Sequence, residues 1–407
     1  MLRIHARLAR LMVFVVAGLS LTGCPGATPP EGPHDGDASL RFTNVAGGEA
    51  HSLAVDQHGH GWAWGSNDLG EIGDGTTVYI RDVPTAVYMP ADTVFVGVWG
   101  GMDLSLALDP EGSAWGWGSN GRGKLGGYPG DRSYVPVPVG MPSETRFTAL
   151  SAGIAHGVAL DQDGNAWAWG ANAHGQIGDT TFGADRPVPT AVAMPSGITF
   201  TAIDAGYEHS LALDRNGNAW AWGDDSYGQV GDGTTGSVRA GPTAVVMPQG
   251  ITFTAVSAGR NHSLALDQDG NAWAWGDNDY GQLGDTTFHN QRLVPTAVAM
   301  PPGLRFTAIS AGSSYSLALD ANGHAWGWGY NDLGQVGDGT DGRIRAAPTA
   351  TVMPPGVTFA SLDAGDAHAL AIDRDGRAWG WGFNMEGQVG DGTSGTRRLV
   401  PVAVQMP

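Results

Sequence analysis

The chain has 407 residues, a formal net charge of −19, 15% charged residues and a single cysteine, Cys24. So large an acidic surplus excludes binding of nucleic acid through a concentrated basic surface, and favours solubility or basic partners instead. One cysteine excludes an intrachain disulfide and any zinc site built from thiolates. The 65 glycines suit many short strands joined by tight turns.

Residues 1–23 read as an address. Arg3, Arg7 and Arg10 precede the apolar run 11–19, which is too short to span a bilayer as a mature helix. Leu21-Thr22-Gly23-Cys24 resembles the bacterial lipobox, in which the cysteine is lipidated and becomes the mature N-terminus. Loss of the three arginines with this signal would take the charge from −19 to −22. Acyl chains on Cys24 would supply a stable membrane anchor. Residues 24–39 hold four prolines and three glycines without apolar periodicity, as expected of an extended tether.

From residue 40 to 407 one unit recurs. Trp-x-Trp-Gly appears at Trp62/Trp64, Trp115/Trp117, Trp167/Trp169, Trp220/Trp222, Trp273/Trp275, Trp326/Trp328 and Trp379/Trp381, at spacings of 52 or 53 residues. These pairs hold 14 of the 15 tryptophans; Trp99 lies outside them. Within one copy, 253–259 and 262–267 alternate as strands, and Gln268-Asp269-Gly270-Asn271 is a hairpin turn. Ala272-Trp273-Ala274-Trp275 is a third strand, and Pro295–Pro301, bounded by prolines, a fourth. Four strands per 53 residues, repeated seven times, predict an all-β fold: a seven-bladed β-propeller of four-stranded antiparallel blades. An unclosed ring leaves a bare edge, and a strand exchanged between the first and last copies is one way to cover it; the sequence does not fix how the ring closes.

Ala258-Gly259-Arg260-Asn261-His262-Ser263-Leu264-Ala265-Leu266 and Trp275-Gly276-Asp277-Asn278-Asp279-Tyr280-Gly281-Gln282-Leu283-Gly284 resemble the regulator of chromosome condensation repeat. The resemblance spans about residues 40–407 and implies the seven-bladed propeller. It does not select a function, because family members include nucleotide-exchange factors, a plant ultraviolet photoreceptor and many interaction modules. The photoreceptor's tryptophans fall between Ala-Gly and His, where this chain has pairs such as Tyr207-Glu208 and Arg260-Asn261. Photoreception is therefore not expected.

Comparing the copies separates frame from loops. Glycines six and nine residues after the second Trp occur in all seven, and no Gly-Lys-Ser/Thr follows that would make them a phosphate loop. Ten residues after that Trp stands Asp74, Asp179, Asp232, Asp285, Asp338 or Asp391; seventeen after it stands Arg81, Arg186, Arg239, Arg292, Arg345 or Arg398. The second copy loses both, having Gly127 and a displaced Arg132. This joint loss predicts a structural Asp–Arg clasp within each loop, bidentate in form, over a ring of arginines offered to an anionic partner. His51, His156, His209, His262 and His368 share one position, with Leu104 and Tyr315 in the other two copies. Their spread around a ring favours hydrogen bonding over metal binding. Turns such as Asp161-Gln162-Asp163-Gly164 lack the rest of a calcium loop, including its terminal Glu.

No nucleophile–base pair, carboxylate dyad or metal signature stands out, so no catalysis, cofactor or metal is expected. The reading is a monomeric, lipid-anchored, extracytoplasmic interaction module of a bacterial envelope. A protein partner would sit on one ring face, on the variable loops 76–83, 128–135, 180–188, 234–241, 286–294, 340–347 and 393–400. An inhibitor of a secreted or periplasmic enzyme, and a propeller lyase or hydrolase acting on envelope glycan, are the alternatives.

Overall fold

A computed structural model describes residues 40–342 and 344–406. The signal, Cys24 and the tether lie outside the described residues. Seven four-stranded antiparallel sheets follow one another in strict chain order. In the fifth, Phe253–Ala258 lines the axis, followed outward by His262–Asp267, Ala272–Gly276 and Arg292–Ala297. The second strand is buried along its whole length in every blade, because both of its faces meet a neighbouring sheet.

The fourth strand differs from the Pro295–Pro301 expectation. It begins where Gly276 pairs with Arg292 and ends at Ala297. Pro295 falls inside it because an outermost strand can place proline where no ladder bond is needed. The second blade departs locally, with a short 3-10 turn at Gly121–Gly123.

Each hydrophobic core lies between two blades. One cluster joins Val158, Leu160, Ala168 and Ile177 of the third blade to Phe200, Ala212 and Trp222 of the fourth. Trp222 stacks on Phe200 of its own blade, centroids 6.1 Å apart at 13°. Its Nε1 donates to the Gln176 carbonyl of the preceding blade at 2.9 Å. The same bond joins Trp117 to Glu71, Trp169 to Lys124, Trp275 to Gln229, Trp328 to Gln282 and Trp381 to Gln335. A roof covers each indole: a Cβ on Gly231, whose φ is 77°, would stand 2.7 Å from Trp275 Nε1. The glycine nine residues after the tryptophan therefore serves the next blade rather than its own.

The ring closes without strand exchange, each blade being built from one continuous repeat. The first sheet is Phe42–Gly47, His51–Asp56, Gly61–Ser66 and Ile80–Ala86; the last is Phe359–Ala364, His368–Asp373, Ala378–Asn384 and Thr396–Ala403. They meet face to face. Phe42, Ala54 and Trp64 pack on Leu370, Ile372 and Val404, and Trp64 Nε1 donates to the Gln388 carbonyl at 2.9 Å. Face packing buries apolar area at the closing interface as it does at the other six, so no shared strand is needed.

Candidate interaction face

The antiparallel order puts the Gly-x-x-His loops and the long loops after the third strands at one end of the ring. The Asp-Gly hairpins and the Pro-rich connections lie at the other. The hairpin carboxylates are spent on structure. Asp267 Oδ1 accepts from the Asp269 and Asn271 amides, and Oδ2 accepts from Trp273 Nε1 at 3.0 Å. All seven first tryptophans bond the corresponding Asp.

The histidines lie in the blade interfaces. His262 Nε2 is 3.0 Å from Ser316 Oγ of the next blade, and Ser316 in turn donates to the Gln282 carbonyl, which also receives Trp328. The serine proton is committed to that carbonyl, so the imidazole donates from Nε2; its buried Nδ1 has no acceptor for a second proton, which leaves the ring neutral. Burial holds His51, His156, His262 and His368 down at about 3, and His209 at about 4. The two copies without His match the two next-blade positions without Ser: Leu104 precedes Gly157, and Tyr315 precedes Ala369. Tyr315 instead donates to the His368 carbonyl, 2.5 Å away.

The structure brings together every expected Asp–Arg pair, at 2.5–2.7 Å. These are Asp74–Arg81, Asp179–Arg186, Asp232–Arg239, Asp285–Arg292, Asp338–Arg345 and Asp391–Arg398. The geometry is not the two-oxygen fork expected. The guanidinium takes only Oδ2, while Oδ1 accepts the amide and hydroxyl of a threonine two residues on, as at Thr181. Arg186 Nη2 then reaches that Thr181 hydroxyl at 2.8 Å, closing a triangle. The next amide back, at Thr180, donates to Ala240 of the following blade at 2.8 Å. Arg239→Ala is expected to cost about 1–2 kcal/mol, the worth of partly exposed charge-assisted hydrogen bonds, read as a shift in urea midpoint at constant slope.

Asp225 stands where the other six copies carry Asn67, Asn120, Asn172, Asn278, Asn331 and Asn384. The amide of Asn278 donates to the Thr287 carbonyl, but a carboxylate has no proton to give, and Asp225 Oδ2 is met by an ion pair with Arg239 Nη2 at 3.6 Å rather than by a hydrogen bond. Burial, the largest cause, raises Asp225 to about 6. A raised carboxyl destabilises the fold above its folded value. Asp225→Asn is therefore expected to stabilise by about 1–3 kcal/mol at pH 7 and by much less at pH 4, measured by urea denaturation at both.

Around the axis, the inner strands present Ala46, Trp99, Ser151, Asp204, Ser257, Ser310 and Asp363 to a cavity of about 130 Å³. Asp204 and Asp363 are half-buried there, and desolvation raises both, Asp363 to about 6. Their oxygens accept from Ser151 and Ser310 hydroxyls and from the Ala258 and Gly47 amides of the following blades, so they lace the ring together. At the loop end of the channel Tyr207 donates across the axis to Asp366, and the Arg260 guanidinium lies 5.2 Å from the Tyr207 centroid. Beside this strut a second cleft, about 370 Å³, is lined by His174, Tyr207, Glu208, Asp224, Tyr227 and Arg260 among others. Among the described residues no three His, Cys, Asp or Glu side chains converge as a metal set.

The repeat alone does not reveal this cleft, since its residues occupy the variable positions of three blades. Its signal in the sequence is the run of two bulky polar pairs, Tyr207-Glu208 and Arg260-Asn261, between the Gly and His positions of the fourth and fifth copies.

The RCC1-like domain model matches residues 23–350 and again 143–407. The ultraviolet-B receptor UVR8 of Arabidopsis thaliana is 29% identical over 360 residues, covering 87% of this chain and 80% of that protein. Human E3 ubiquitin-protein ligase HERC2 is 29% identical over 352 residues, 84% of this chain but only 7% of the ligase. Among solved structures, human WBSCR16 superposes with a TM-score of 0.77 at 23% identity, over 86% of this chain and 95% of that one, a likeness of fold. With matches that together run the length of the propeller, the chain belongs to the RCC1-like domain family.

Proposed function

We propose that the ring is a non-catalytic protein-interaction module, held outside the cytoplasm by a lipid on Cys24, and that its partner docks on the loop end. The observation that carries this reading is the division of polar chemistry between frame and loops. The frame's histidines, hairpin aspartates and indole N–H groups are engaged in hydrogen bonds within or between blades. The loop end differs from blade to blade and leaves Phe182 65% exposed, and Tyr79, Phe288 and Met385 about half exposed. Exposed aromatic and Met side chains are the kind that anchor protein interfaces.

Cross-linking the full-length chain in its native envelope is expected to trap one stoichiometric protein. Phe182→Ser with Phe288→Ser should lose it, while Arg146→Ala with Arg374→Ala, at the hairpin end, should keep it. Turnover of an envelope glycan by the purified chain would defeat the non-catalytic reading. A mature protein whose mass is unchanged when lipoprotein processing is blocked would defeat the anchor.

A further inference from the structure

We propose that the cleft beside the channel mouth receives an arginine or lysine side chain of a protein partner. This deepens the interaction-module reading and rests on it. The cleft, about 370 Å³, is large enough for one long side chain and its flanking backbone. Its walls combine the phenol rings of Tyr207 and Tyr227 with the carboxylates of Glu208 and Asp224. Aromatic faces and carboxylates together are the groups that hold an organic cation.

The molecule itself supplies a precedent, because the Arg260 guanidinium already lies over one face of Tyr207. Tyr227, by contrast, is 39% exposed, and the Glu208 side chain 46%, so a wall of the same composition faces solvent. His174 sits between the two carboxylates, 3.5 Å from Glu208 and 3.8 Å from Asp224, which marks where a cationic group would lie. The chain's net charge of −19 draws such a partner in.

The loops of the two flanking blades depart from the repeat together. Where four copies read Asp-Gly-Thr, these read Asp179-Thr180-Thr181-Phe182 and Asp285-Thr286-Thr287-Phe288. Each puts an exposed phenylalanine on the same end of the ring as the cleft. The complementary segment is a basic side chain with apolar neighbours.

The probe is acetyl-Leu-Arg-Leu-amide, titrated into the full-length chain by calorimetry, against the same peptide with citrulline, which keeps the shape and removes the charge. The arginine peptide is expected to bind at about 1 mM or tighter and at least about tenfold better than the citrulline peptide. Glu208→Lys should weaken it at least about tenfold, while Asp163→Lys at the hairpin end should leave it within about twofold. Equal binding of the two peptides, no binding of either, or indifference to Glu208→Lys would overturn the assignment. Envelope cross-linking separates the two readings. If Glu208→Lys captures the partner as well as the parent chain does, the cleft falls and the module stands. If the arginine peptide binds through Glu208 but the parent chain captures no protein, the module reading falls and takes the protein-docking assignment with it.

Discussion

Replacing Trp64 with alanine is expected to destabilise the ring by about 3–5 kcal/mol, the cost of deleting a fully buried indole. Trp64 has no exposed surface, packs against Phe42 with centroids 6.4 Å apart, and donates to the Gln388 carbonyl of the last blade. Six of the seven interfaces join blades that are consecutive in the chain. The seventh joins residues more than 300 apart in sequence, as the Trp64–Gln388 bond shows. Loss of packing there opens the ring into an arc with two unpacked blade faces, so the penalty should fall at the upper end of the range. Trp62→Phe, which keeps an aromatic ring and loses the 3.0 Å bond to Asp56, should cost only about 1–3 kcal/mol. Urea denaturation followed by fluorescence reads both. A Trp64→Ala loss below about 1 kcal/mol would mean that the blades do not close at this interface.

That closure shows which parts of the molecule the sequence carries openly. Period, strand count and hairpin turns are local, and each is written within a single copy. The Trp-x-Trp pair marks both interior anchors, although only the structure separates them: the first tied to its own hairpin Asp, the second to the blade before it. The clasp partners are legible because they vanish together in the second copy. Their geometry is not, since the threonine that takes the second oxygen is a common loop residue. The serine that meets each histidine lies one repeat ahead, so comparing like positions conceals the pairing. Read diagonally, the sequence does contain it: Leu104 with Gly157 and Tyr315 with Ala369 are the two exceptions, and they fall together. The cleft is least legible, because three blades contribute to it through positions that follow no rule of the repeat.

The diagonal pairing predicts that His262→Tyr and Ser316→Ala, each harmful alone, are less harmful together. The double variant recreates the Tyr315–Ala369 pair that the sixth and seventh blades already use, with the phenol reaching a carbonyl of the following blade. His262→Tyr alone sets a bulky ring against Ser316, and Ser316→Ala alone leaves the buried Nε2 proton of His262 without an acceptor. Coupling of at least about 1 kcal/mol in the double-mutant cycle is expected. Acid provides the second readout. His262 is held at about 3 in the fold by burial, against an ordinary value near 6.5, so its contribution is intact above pH 6.5 and is lost as pH falls toward 3. At pH 5 the unfolded chain takes up the proton and the folded one does not, a loss of about 2 kcal/mol for this residue. Glu71, raised to about 7, and Asp363, raised to about 6, act in the opposite sense and add stability as pH falls. The parent's own pH curve therefore mixes opposed effects, since four further buried histidines act in the same sense as His262. Subtracting it from that of the double variant cancels the shared groups and leaves His262 alone. The variant should gain about 2 kcal/mol relative to the parent between pH 7 and pH 5. A difference curve that stays flat over that range would show that the imidazole is not held neutral in the blade interface.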